Sequence, residues 1–545
     1  MDGYLEVDQS SASQATTDDQ EIFDNINGRM HGPMIGFMEK HFGNLQYTGQ
    51  GASAAPSPDN FLQWFSTYAS RELDGARGLW HISQDSIASG HESTKGSARL
   101  LLAICPSPAY NYNHNIGTRW GHIQVIGQFY QHGCVCYQDG LLSLCWSAHQ
   151  VFASQPTRLF LHGFYIRGSL IELWIFDRSG LYCSRVFNVQ KDFNQFLSVI
   201  LSYQQMTDED LGKLDMIKTD IDGSYIMIHS AEMPSARKIY LESEPVASRQ
   251  DLVGTGTTCY RVRMSESRRW SSILKFKWRW ARERPENELL ELAKKNCVWG
   301  AVSLDYYEEL EKETSNFFQN RILTCTITSP AGRPLHTFQS LIELLQVFRD
   351  AVICHRSLYH DAKILHQDIS SGNMIILDGQ GEGKPKGILI DLDSAIQLTE
   401  GSKTEVDITG TRPSMAIGVL RGERHTYRHD LESFLYVFLW TVISSHAEKP
   451  PETSKLRRWS DGDWDELAVR KCLDMDQDSF RDILTEFTPE FYPLKSLAES
   501  LRQILFPLKD GVIWTGTHSS PEAVDKLYDG MMHAFEGAIA SEGGR

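Results

Sequence analysis

The sequence lacks the features that direct a chain into a membrane or through one. Its longest strongly apolar run, at residues 434–443, is well short of the ~20 residues that span a bilayer, so we expect it to form a buried helix. The first residues are acidic and rich in Ser, Thr and Gln, without the apolar core of a signal peptide. These absences predict a cytoplasmic or nuclear protein that has no membrane partner.

Paired cysteines and an excess of positive charge are also missing. The 10 cysteines form no C-x-x-C pair and no repeated spacing. No neighbouring set of His and Cys completes a zinc site, and we expect free thiols in a reducing compartment. The 53 Lys and Arg stand against 70 Asp and Glu, which leaves a net charge of -17. This balance argues against a nucleic acid or an anionic membrane as a partner of the whole surface.

What is present is a long sequence of ordinary globular composition. Its 545 residues suffice for two to four domains, and 41% hydrophobic and 23% charged residues are typical of a soluble globular protein. We predict a disordered acidic tail over residues 1–29 and an α+β domain over 30–222. Within that domain we expect helices at 61–73, 98–105 and 193–206, and strands between 120 and 187.

The pattern changes from strands to helices in the rest of the chain. Strand-like runs lie at 225–231, 238–248 and 271–278, and a helix is expected over 286–295. From about residue 335 the pattern is mainly helical. The sequence therefore predicts a small β-rich part over 223–331, a larger helical part over 332–540 and a short tail at 541–545.

The most informative segment is HQDISSGNMIILD, residues 366–378. Asp368 and Asn373 are five residues apart, the spacing of the H-R-D-x-x-x-x-N loop of kinases, and Asp391 opens D-L-D where kinases have D-F-G. A carboxylate at the start of such a loop accepts the proton of a substrate hydroxyl. Asn373 and Asp391 offer the hard oxygen ligands that Mg²⁺ prefers. A hairpin with incidental acidic residues is the alternative.

Two glycines and a lysine are candidates for contact with nucleotide phosphates. Gly254 and Gly256 lie between strand-like runs, with Val262 six residues after Gly256, as in a hairpin that covers phosphates. A plain hairpin turn is the alternative. Lys275 follows an apolar pair on the next strand, which is the setting of a V-A-I-K lysine that holds the α- and β-phosphates. The alternative is an exposed strand lysine like its neighbour Lys277.

Acidic residues on two expected helices complete the set of candidates. Glu288 is the best partner for Lys275, and Glu291 on the same helix is the alternative. Asp430 stands just before the strongly apolar helix. There it either caps that helix or, as in kinases, hydrogen-bonds the backbone of the catalytic loop, and the two roles are compatible.

Residues 399–420 resemble the activation segment of protein kinases, which forms the platform for a peptide substrate. Small-molecule kinases of the aminoglycoside phosphotransferase type lack that platform. Gly410 and Thr411, in G-T-R-P-S-M-A, therefore favour a protein as the substrate.

From about residue 115 to 445 the motifs resemble, in order, those of the fungal-type protein kinase family. The resemblance is carried by QPTRLFLHG, IFDRSGLYCSRVF, VGTGTTCYRVR, LKFKW, GRPL, ILHQDISSGN, LIDLDSA, GTRPSMA and HTYRHDLESFLYVFLW. It implies an α+β, two-lobed protein-kinase-like fold preceded by a separate α+β N-terminal domain. It also implies binding of ATP and Mg²⁺ and phosphorylation of Ser or Thr in a protein substrate. By this resemblance Asp368 is the catalytic base, Asn373 and Asp391 are the Mg²⁺ ligands, Lys275 is the phosphate anchor, and Thr328 begins the hinge that faces adenine.

Two departures from the kinase pattern affect the activation segment. Gln367 replaces the Arg of H-R-D, the cation that binds a phosphorylated segment. Phosphorylation is therefore expected to matter less here; the candidate acceptors are Thr399, Ser402, Thr404 and Thr409. Gly418 stands where a glutamate like that of A-P-E is expected, which predicts a less rigid segment. A nucleotide-binding or scaffolding pseudokinase is thus the alternative to an active protein kinase, while the segment itself disfavours a small-molecule phosphotransferase.

Two motifs of the N-terminal domain predict no site. Residues 120–130 resemble a strand on which a nuclease-like fold could place an acid and a lysine, but Gln128 and the lack of a nearby Lys leave nothing to hold a metal. Asp177 and Arg178, before Ser179 and Gly180, predict a turn after a buried strand.

Overall fold

The computed structural model describes residues 17–43, 54–73, 77–83, 97–104, 120–131, 137–229, 236–249, 251–311, 321–379, 381, 383–398 and 410–544. They form a mixed α+β protein, which confirms the predicted class. The chain divides into two compact units. The first is Met1–Trp270, Leu274–Glu283 and Tyr307–Thr326; the second is Ser271–Ile273, Arg284–Tyr306 and Ile327–Arg545. The first unit continues past residue 222, and the predicted division there between an N-terminal domain and a small lobe stays a prediction.

The first unit begins with an eight-stranded sheet. Its strands are β1 (Met30–His31), β2 (Leu79–Ser83), β3 (Ser97–Ala103), β4 (Ile123–Tyr130), β5 (Phe160–Arg167), β6 (Leu170–Asp177), β7 (Leu181–Cys183) and β8 (Phe187–Asn188). The order is β1-β7-β6-β5-β4-β3-β2, with β8 beside β6. β4 and β5 are parallel, and the connection between them contains helix α4 (Tyr137–Ser154).

Helices cover both faces of this sheet because alternate strand residues point to opposite sides. Leu101 of β3 packs in one core with α1 (Thr17–Ile26) and α4. Its neighbours Leu100 and Leu102 pack in the other core with α2 (Phe37–Phe42), α3 (Phe61–Arg71) and α5 (Phe193–Gln205). The predicted helices at 61–73 and 193–206 and the strands between 120 and 187 are confirmed.

Three parts of this unit differ from the sequence-based expectations. Residues 98–105 were expected to be helical, but 97–103 form β3, which pairs antiparallel with β4. Because both faces of β3 are covered, its residues 100–103 are apolar without alternation, and such a run does not distinguish a strand from a buried helix. Helix α4 was not predicted at all. Residues 17–26, within the expected disordered tail, form α1 with Ile22 and Ile26 buried, while residues 1–16 lie outside the described part.

A second sheet follows. Its strands are β9 (Lys218–Asp220), β10 (Gly223–Ile228), β11 (Arg237–Leu241), β12 (Ala247–Ser248), β13 (Thr258–Met264), β14 (Ser272–Trp280), β15 (Ser303–Glu311) and β16 (Arg321–Ser329). The order is β15-β16-β14-β13-β11-β10-β9, with β12 beside β13. Helix α6 (Glu286–Lys295) follows β14 and has the predicted bounds.

The second unit is mainly helical, as predicted. Its helices after α6 are α7 (Leu341–Asp361), α8 (Ile417–Leu420), α9 (Tyr427–Ser444), α10 (Trp464–Asp474), α11 (Gln477–Thr485), α12 (Lys495–Leu505) and α13 (Pro521–Gly543). Every residue of α9 is buried, which confirms the expectation for the apolar run at 434–443. Among the helices that the structure describes, none combines the length and the apolar character needed to cross a membrane.

The second unit also contains short strands between its helices and loops. They are β17 (Arg333–Pro334), β18 (Ile364–Leu365), β19 (Met374–Ile376), β20 (Gly387–Leu389), β21 (Ile396–Gln397), β22 (Leu508–Lys509) and β23 (Val512–Ile513). Of these, β17, β19 and β20 form one small sheet, while β18 and β21 form a separate pair. Both groups flank the loops that contain the predicted catalytic residues.

Candidate active site

A short hairpin brings two of the predicted site residues together. β19 and β20 pair antiparallel, and the amide of Ile390 donates a hydrogen bond of 3.0 Å to the carbonyl oxygen of Asn373. Asn373 immediately precedes β19 and Asp391 closely follows β20. Both residues therefore lie at the same end of the hairpin. The loop with Asp368 begins directly after β18, which pairs with β21 beyond Asp391.

The carboxylate of Asp368 is fixed through both of its oxygens. Asn373 Nδ2 donates to Asp368 Oδ2 at 3.1 Å and to the Asp368 carbonyl oxygen at 2.9 Å. The backbone amide and the hydroxyl of Thr411 donate to Asp368 Oδ1 at 2.9 Å and 2.8 Å. Since the amide nitrogen of Asn373 serves Asp368, its amide oxygen is the atom that fits a cation. The five-residue spacing thus corresponds to a direct contact between the two side chains.

Three carboxylates gather where the D-L-D motif meets helix α6. One oxygen from each of Glu286, Asp391 and Asp393 lies within 4.8 Å of the others. Glu286 Oε1 accepts a hydrogen bond of 2.9 Å from the amide of Leu392, which holds the loop against the helix. Carboxylate oxygens at this spacing, next to the hairpin end with Asn373, are a suitable donor set for Mg²⁺.

Glu286 is a residue that the sequence analysis did not single out. On the same helix it named Glu288, with Glu291 as the alternative, as the partner of Lys275, and that pairing stays a prediction. Glu288 instead forms an ion pair of 2.7 Å with Arg284, and its side chain is 50% exposed. Successive residues of a helix are about 100° apart, so two positions place these acids on nearly opposite sides. The structure places Glu286, and not Glu288, at the D-L-D loop.

Asp430 lies fully buried behind the catalytic loop. Its Oδ2 accepts hydrogen bonds from the amides of His366 at 3.1 Å and Gln367 at 3.2 Å. His355 Nε2 lies 2.8 Å from Oδ2, and His425 Nε2 lies 2.7 Å from Oδ1. Burial acts to raise the pKa of Asp430, but the charges and hydrogen bonds of the two histidines outweigh it and hold the pKa well below its usual range.

The kinase-like role of Asp430 is the one that its contacts support. The N-cap of α9 is Thr426, whose side chain and that of His429 form a reciprocal capping box. The alternative that Asp430 caps this helix is therefore wrong. Tyr528 of α13 extends the network, because its hydroxyl lies 2.8 Å from His355 Nδ1. A helix distant in sequence thus stabilises the backbone next to Asp368.

Strained backbone marks both loops of the site. Gln367 has φ 65° and Asp391 has φ 67°, values that residues other than glycine rarely adopt. Gly410 approaches the same loop so closely that a Cβ there would lie 3.2 Å from the carbonyl oxygen of Gln367. The glycine of G-T-R-P-S-M-A thus lets Thr411 reach Asp368.

The segment from residue 410 onwards is tied down by a buried lysine of α10. Lys471 Nζ donates to the carbonyl oxygens of Met415 at 2.7 Å, Pro413 at 2.8 Å and Arg412 at 3.3 Å. Its ammonium lies 4.2 Å from the ring centroid of Tyr436. Burial lowers the pKa of Lys471 to about 7.

A second anchor takes the place of the glutamate expected at Gly418. A Cβ on Gly418 would lie only 2.4 Å from His429 Nε2, so no glutamate fits there. Instead Glu432 of α9, which is fully buried, accepts a hydrogen bond of 2.7 Å from the amide of Ile417. Arg428 pairs with Glu432 at 2.6 Å. Glu432 and Lys471 thus hold the segment from residue 410 onwards without a glutamate at 418, and its lower rigidity stays a prediction.

The other predicted residues are spread over further elements. Gly254 and Gly256 lie in the loop between β12 and β13, and Val262 is buried on β13 opposite Leu241. Lys275 is half-buried on β14, the neighbouring strand. In the second unit, Thr328 lies near the end of β16. The contacts of these residues with a nucleotide stay predictions, and Thr399, Ser402, Thr404 and Thr409 lie outside the described residues.

The turn and the strand that were predicted in the N-terminal domain are both present. Asp177 Oδ1 accepts hydrogen bonds from the amides of Ser179 at 2.7 Å and Gly180 at 2.9 Å, which confirms the turn. Burial raises the pKa of Asp177 to about 7. Gln128 is buried and accepts a hydrogen bond of 3.1 Å from the hydroxyl of Ser143.

An aspartate held by a neighbouring Asn, an adjacent carboxylate loop and an anchored segment beside them form the arrangement that is typical of protein kinases. The family model for fungal protein kinases matches residues 107–317 and 308–442, which is more than half of the chain. The protein therefore belongs to the fungal protein kinase family. A comparison with curated proteins found no match.

Proposed function

We propose that this protein is an ATP- and Mg²⁺-dependent protein kinase that transfers the γ-phosphate to Ser or Thr hydroxyls of a protein substrate. The observation that carries the proposal is the fixed carboxylate of Asp368, held by Asn373 on one oxygen and by Thr411 on the other. A base oriented in this way accepts the proton of an incoming hydroxyl without first having to be positioned.

The residues have separate tasks in the transfer. The substrate oxygen attacks the γ-phosphorus, the bond from that phosphorus to the bridging oxygen of ADP breaks, and the hydroxyl proton passes to Asp368. Asn373 and Asp391 would hold Mg²⁺, which when bound neutralises charge on the phosphates. Lys275 is assigned to the α- and β-phosphates, Gly254 and Gly256 to the loop over them, and the backbone at Thr328 to adenine.

The anchored segment supports a protein as the acceptor. Residues 410–417 are held by Asp368, Lys471 and Glu432, and Thr411 at the start of this stretch is exposed. An extended peptide needs such a preformed surface beside the base, whereas a small alcohol does not. We therefore propose a protein, rather than a small alcohol, as the acceptor.

The rival is a pseudokinase, favoured by the departures at Gln367 and Gly418. Two contacts weaken the pseudokinase alternative. The backbone amide of Gln367 still binds Asp430, and Glu432 replaces the anchor that was expected at Gly418. Transfer of phosphate to an acceptor, rather than nucleotide binding alone, distinguishes an active kinase from a pseudokinase.

The deciding experiment measures transfer of labelled phosphate from Mg-ATP to the chain itself and to a Ser/Thr peptide library. We expect transfer by the wild type and a loss of at least about 100-fold in Asp368→Asn. Asp465→Asn, at an exposed position of α10, is the matched control and should be fully active. Mg-ATP binding in a thermal shift without any transfer would establish the pseudokinase instead. Transfer to small alcohols or amino sugars but not to peptides would point to a small-molecule kinase.

A further inference from the structure

The loop between β12 and β13 carries the two predicted phosphate-covering glycines, and we call residues 251–257 the glycine loop. Its tip is part of the core of the N-terminal sheet. Leu252 and Val253 are each 1% exposed, and they pack in the same core as Ile22 and Ile26 of α1. A loop that only covers a nucleotide has no need to bury two aliphatic side chains elsewhere.

A side chain of α1 holds the backbone at this tip. Asn25 Oδ1 accepts a hydrogen bond of 2.7 Å from the amide of Val253, and Asn25 Nδ2 donates one of 2.9 Å to the carbonyl oxygen of the same residue. The side-chain amide thus satisfies both backbone groups of one residue 228 positions away. Few other side chains match both groups with one planar amide.

Arg178, which follows β6, holds the loop on its other side. Its carbonyl oxygen accepts a hydrogen bond of 3.1 Å from the amide of Gly254, and its guanidinium donates to the carbonyl oxygen of Asp251. The guanidinium also packs against Gly256, where a Cβ would lie 2.7 Å from Arg178 Cζ. Gly256 has φ 49° as well. The glycine therefore serves two purposes, the left-handed turn and the close approach of the arginine.

A backbone hydrogen bond also joins the glycine loop to β14, the strand that carries Lys275. The carbonyl oxygen of Thr255 accepts a hydrogen bond of 2.8 Å from the amide of Trp278 on β14, three residues after Lys275. Contacts from α1, Arg178 and β14 thus converge on residues 251–256 of the glycine loop.

We propose that Asn25 and Arg178 are positioning residues that hold the glycine loop in its binding conformation before ATP arrives. A free loop loses conformational entropy when it closes over phosphates, and this cost weakens binding. A loop already ordered by the N-terminal region avoids that cost. The inference rests on the proposed function, and it gives the region before residue 222 a task, which is to set the affinity for ATP.

The test compares full-length Asn25→Ala and Asn25→Asp with the wild type, and Asn27→Ala is the matched control. Asn27 is exposed just after α1. We expect hydrogen exchange of the amides at 253 and 254 to become at least about tenfold faster in Asn25→Ala. The KM for ATP should rise about three- to tenfold, while kcat and the KM for peptide change less than twofold.

The Asn25→Asp variant distinguishes a positioning role of Asn25 from a general loss of structure. Asn25→Asp keeps the acceptor for the amide of Val253 but loses the donor to its carbonyl oxygen, so its exchange rate and its KM for ATP should be intermediate. Unchanged exchange at 253 and 254 in Asn25→Ala overturns the anchor. Faster exchange with an unchanged or lower KM for ATP overturns the positioning role. A wild type that binds no Mg-ATP overturns the proposed function and the nucleotide role with it, whereas the exchange data still decide the anchor independently.

Discussion

Lys471 Nζ donates a 2.7 Å hydrogen bond to the carbonyl oxygen of Met415, and this contact helps to hold the segment from residue 410 onwards against α10. The same ammonium also donates to the partly buried carbonyl oxygens of Arg412 and Pro413, so one side chain holds three carbonyl groups of this segment. No acidic residue faces the lysine at ion-pair distance in the part of the chain that the structure describes.

Lys471→Met keeps the volume of the side chain and removes all three donors. We expect it to lower the free energy of unfolding by at least about 2 kcal/mol, because buried carbonyls without donors are costly. The kcat/KM for peptide should fall about tenfold or more, with a smaller change in the KM for ATP. Chemical denaturation and steady-state kinetics measure both effects. Lys526→Met, at an exposed site of α13, is the control and should match the wild type.

Thr411→Val removes the hydroxyl that binds Asp368 Oδ1 but retains the backbone amide bond to the same atom. With one donor instead of two on Oδ1, the Asp368 carboxylate is less well oriented. We therefore expect kcat to fall about tenfold. Thr411→Ser restores a hydroxyl at the same position and should recover most of the activity. Equal activity of the Val and Ser variants would contradict a role for this hydroxyl.

A matched pair of substitutions distinguishes the roles of Glu286 and Glu288 on α6. Glu286→Gln still accepts the hydrogen bond from Leu392 but removes a charge next to Asp391, so we expect weaker Mg²⁺-dependent stabilisation by ATP in a thermal shift. Glu288→Gln breaks only an exposed pair with Arg284, worth less than about 1 kcal/mol. A larger loss of Mg-ATP stabilisation in Glu288→Gln than in Glu286→Gln would contradict a role of Glu286 in holding Mg²⁺ and would favour Glu288 as the partner of Lys275.

Tyr528→Phe leaves His355 Nδ1 without its partner in a buried site. We expect a loss of about 1–2 kcal/mol in the free energy of unfolding and a reduced kcat, because His355 orients Asp430 behind the catalytic loop. Tyr492→Phe, at a residue 51% exposed, controls for the loss of a hydroxyl as such. No difference in stability between the two variants would contradict the network.

Asp177 gives the stability of the first unit a defined pH dependence. Burial raises its pKa to about 7 against nearby positive charge from Arg321 and Lys40, whereas in an unfolded chain the pKa is about 4. Between these values the folded protein holds a proton that the unfolded chain has released. The contribution of Asp177 to the stability of the wild type therefore falls as pH rises from about 4 to about 7.

Asp177→Asn removes this dependence. Its amide oxygen can still accept the two hydrogen bonds of the turn, so the variant should gain stability relative to the wild type as pH rises through that window. The slope should approach 1.4 kcal/mol per pH unit and vanish above about pH 8. Unfolding temperatures of both proteins at pH 4, 5.5, 7 and 8.5 provide the comparison. Parallel pH profiles of the two proteins would show that the pKa of the Asp177 carboxyl is not raised.

Spacing in the sequence was a good guide where function needs residues close together along the chain. Asp368 and Asn373 do touch, and α6 begins and ends at the predicted residues because its apolar positions follow the helical period. The run at 98–105 was misassigned because a strand covered on both faces has no alternation. Helix α4 was missed, and residues along most of its length are buried.

Contacts to backbone groups could not be predicted from side chains alone. Lys471 binds three carbonyl groups, and Asn25 binds both backbone groups of Val253; neither contact leaves a pattern of complementary residues in the sequence. Glu286 was not singled out for a different reason, because residue type and apolar spacing do not fix which side of a helix meets a distant loop.

The helix α13 has a practical consequence for anyone who expresses part of this protein. The family match ends at residue 442, inside α9, while α12 and α13 complete the core around that helix. A fragment trimmed to the matched residues would lose Tyr528 and expose the apolar sides of α7 and α9 to solvent. Such a fragment should aggregate, and inactivity measured on it would say nothing about the catalytic competence of the full chain.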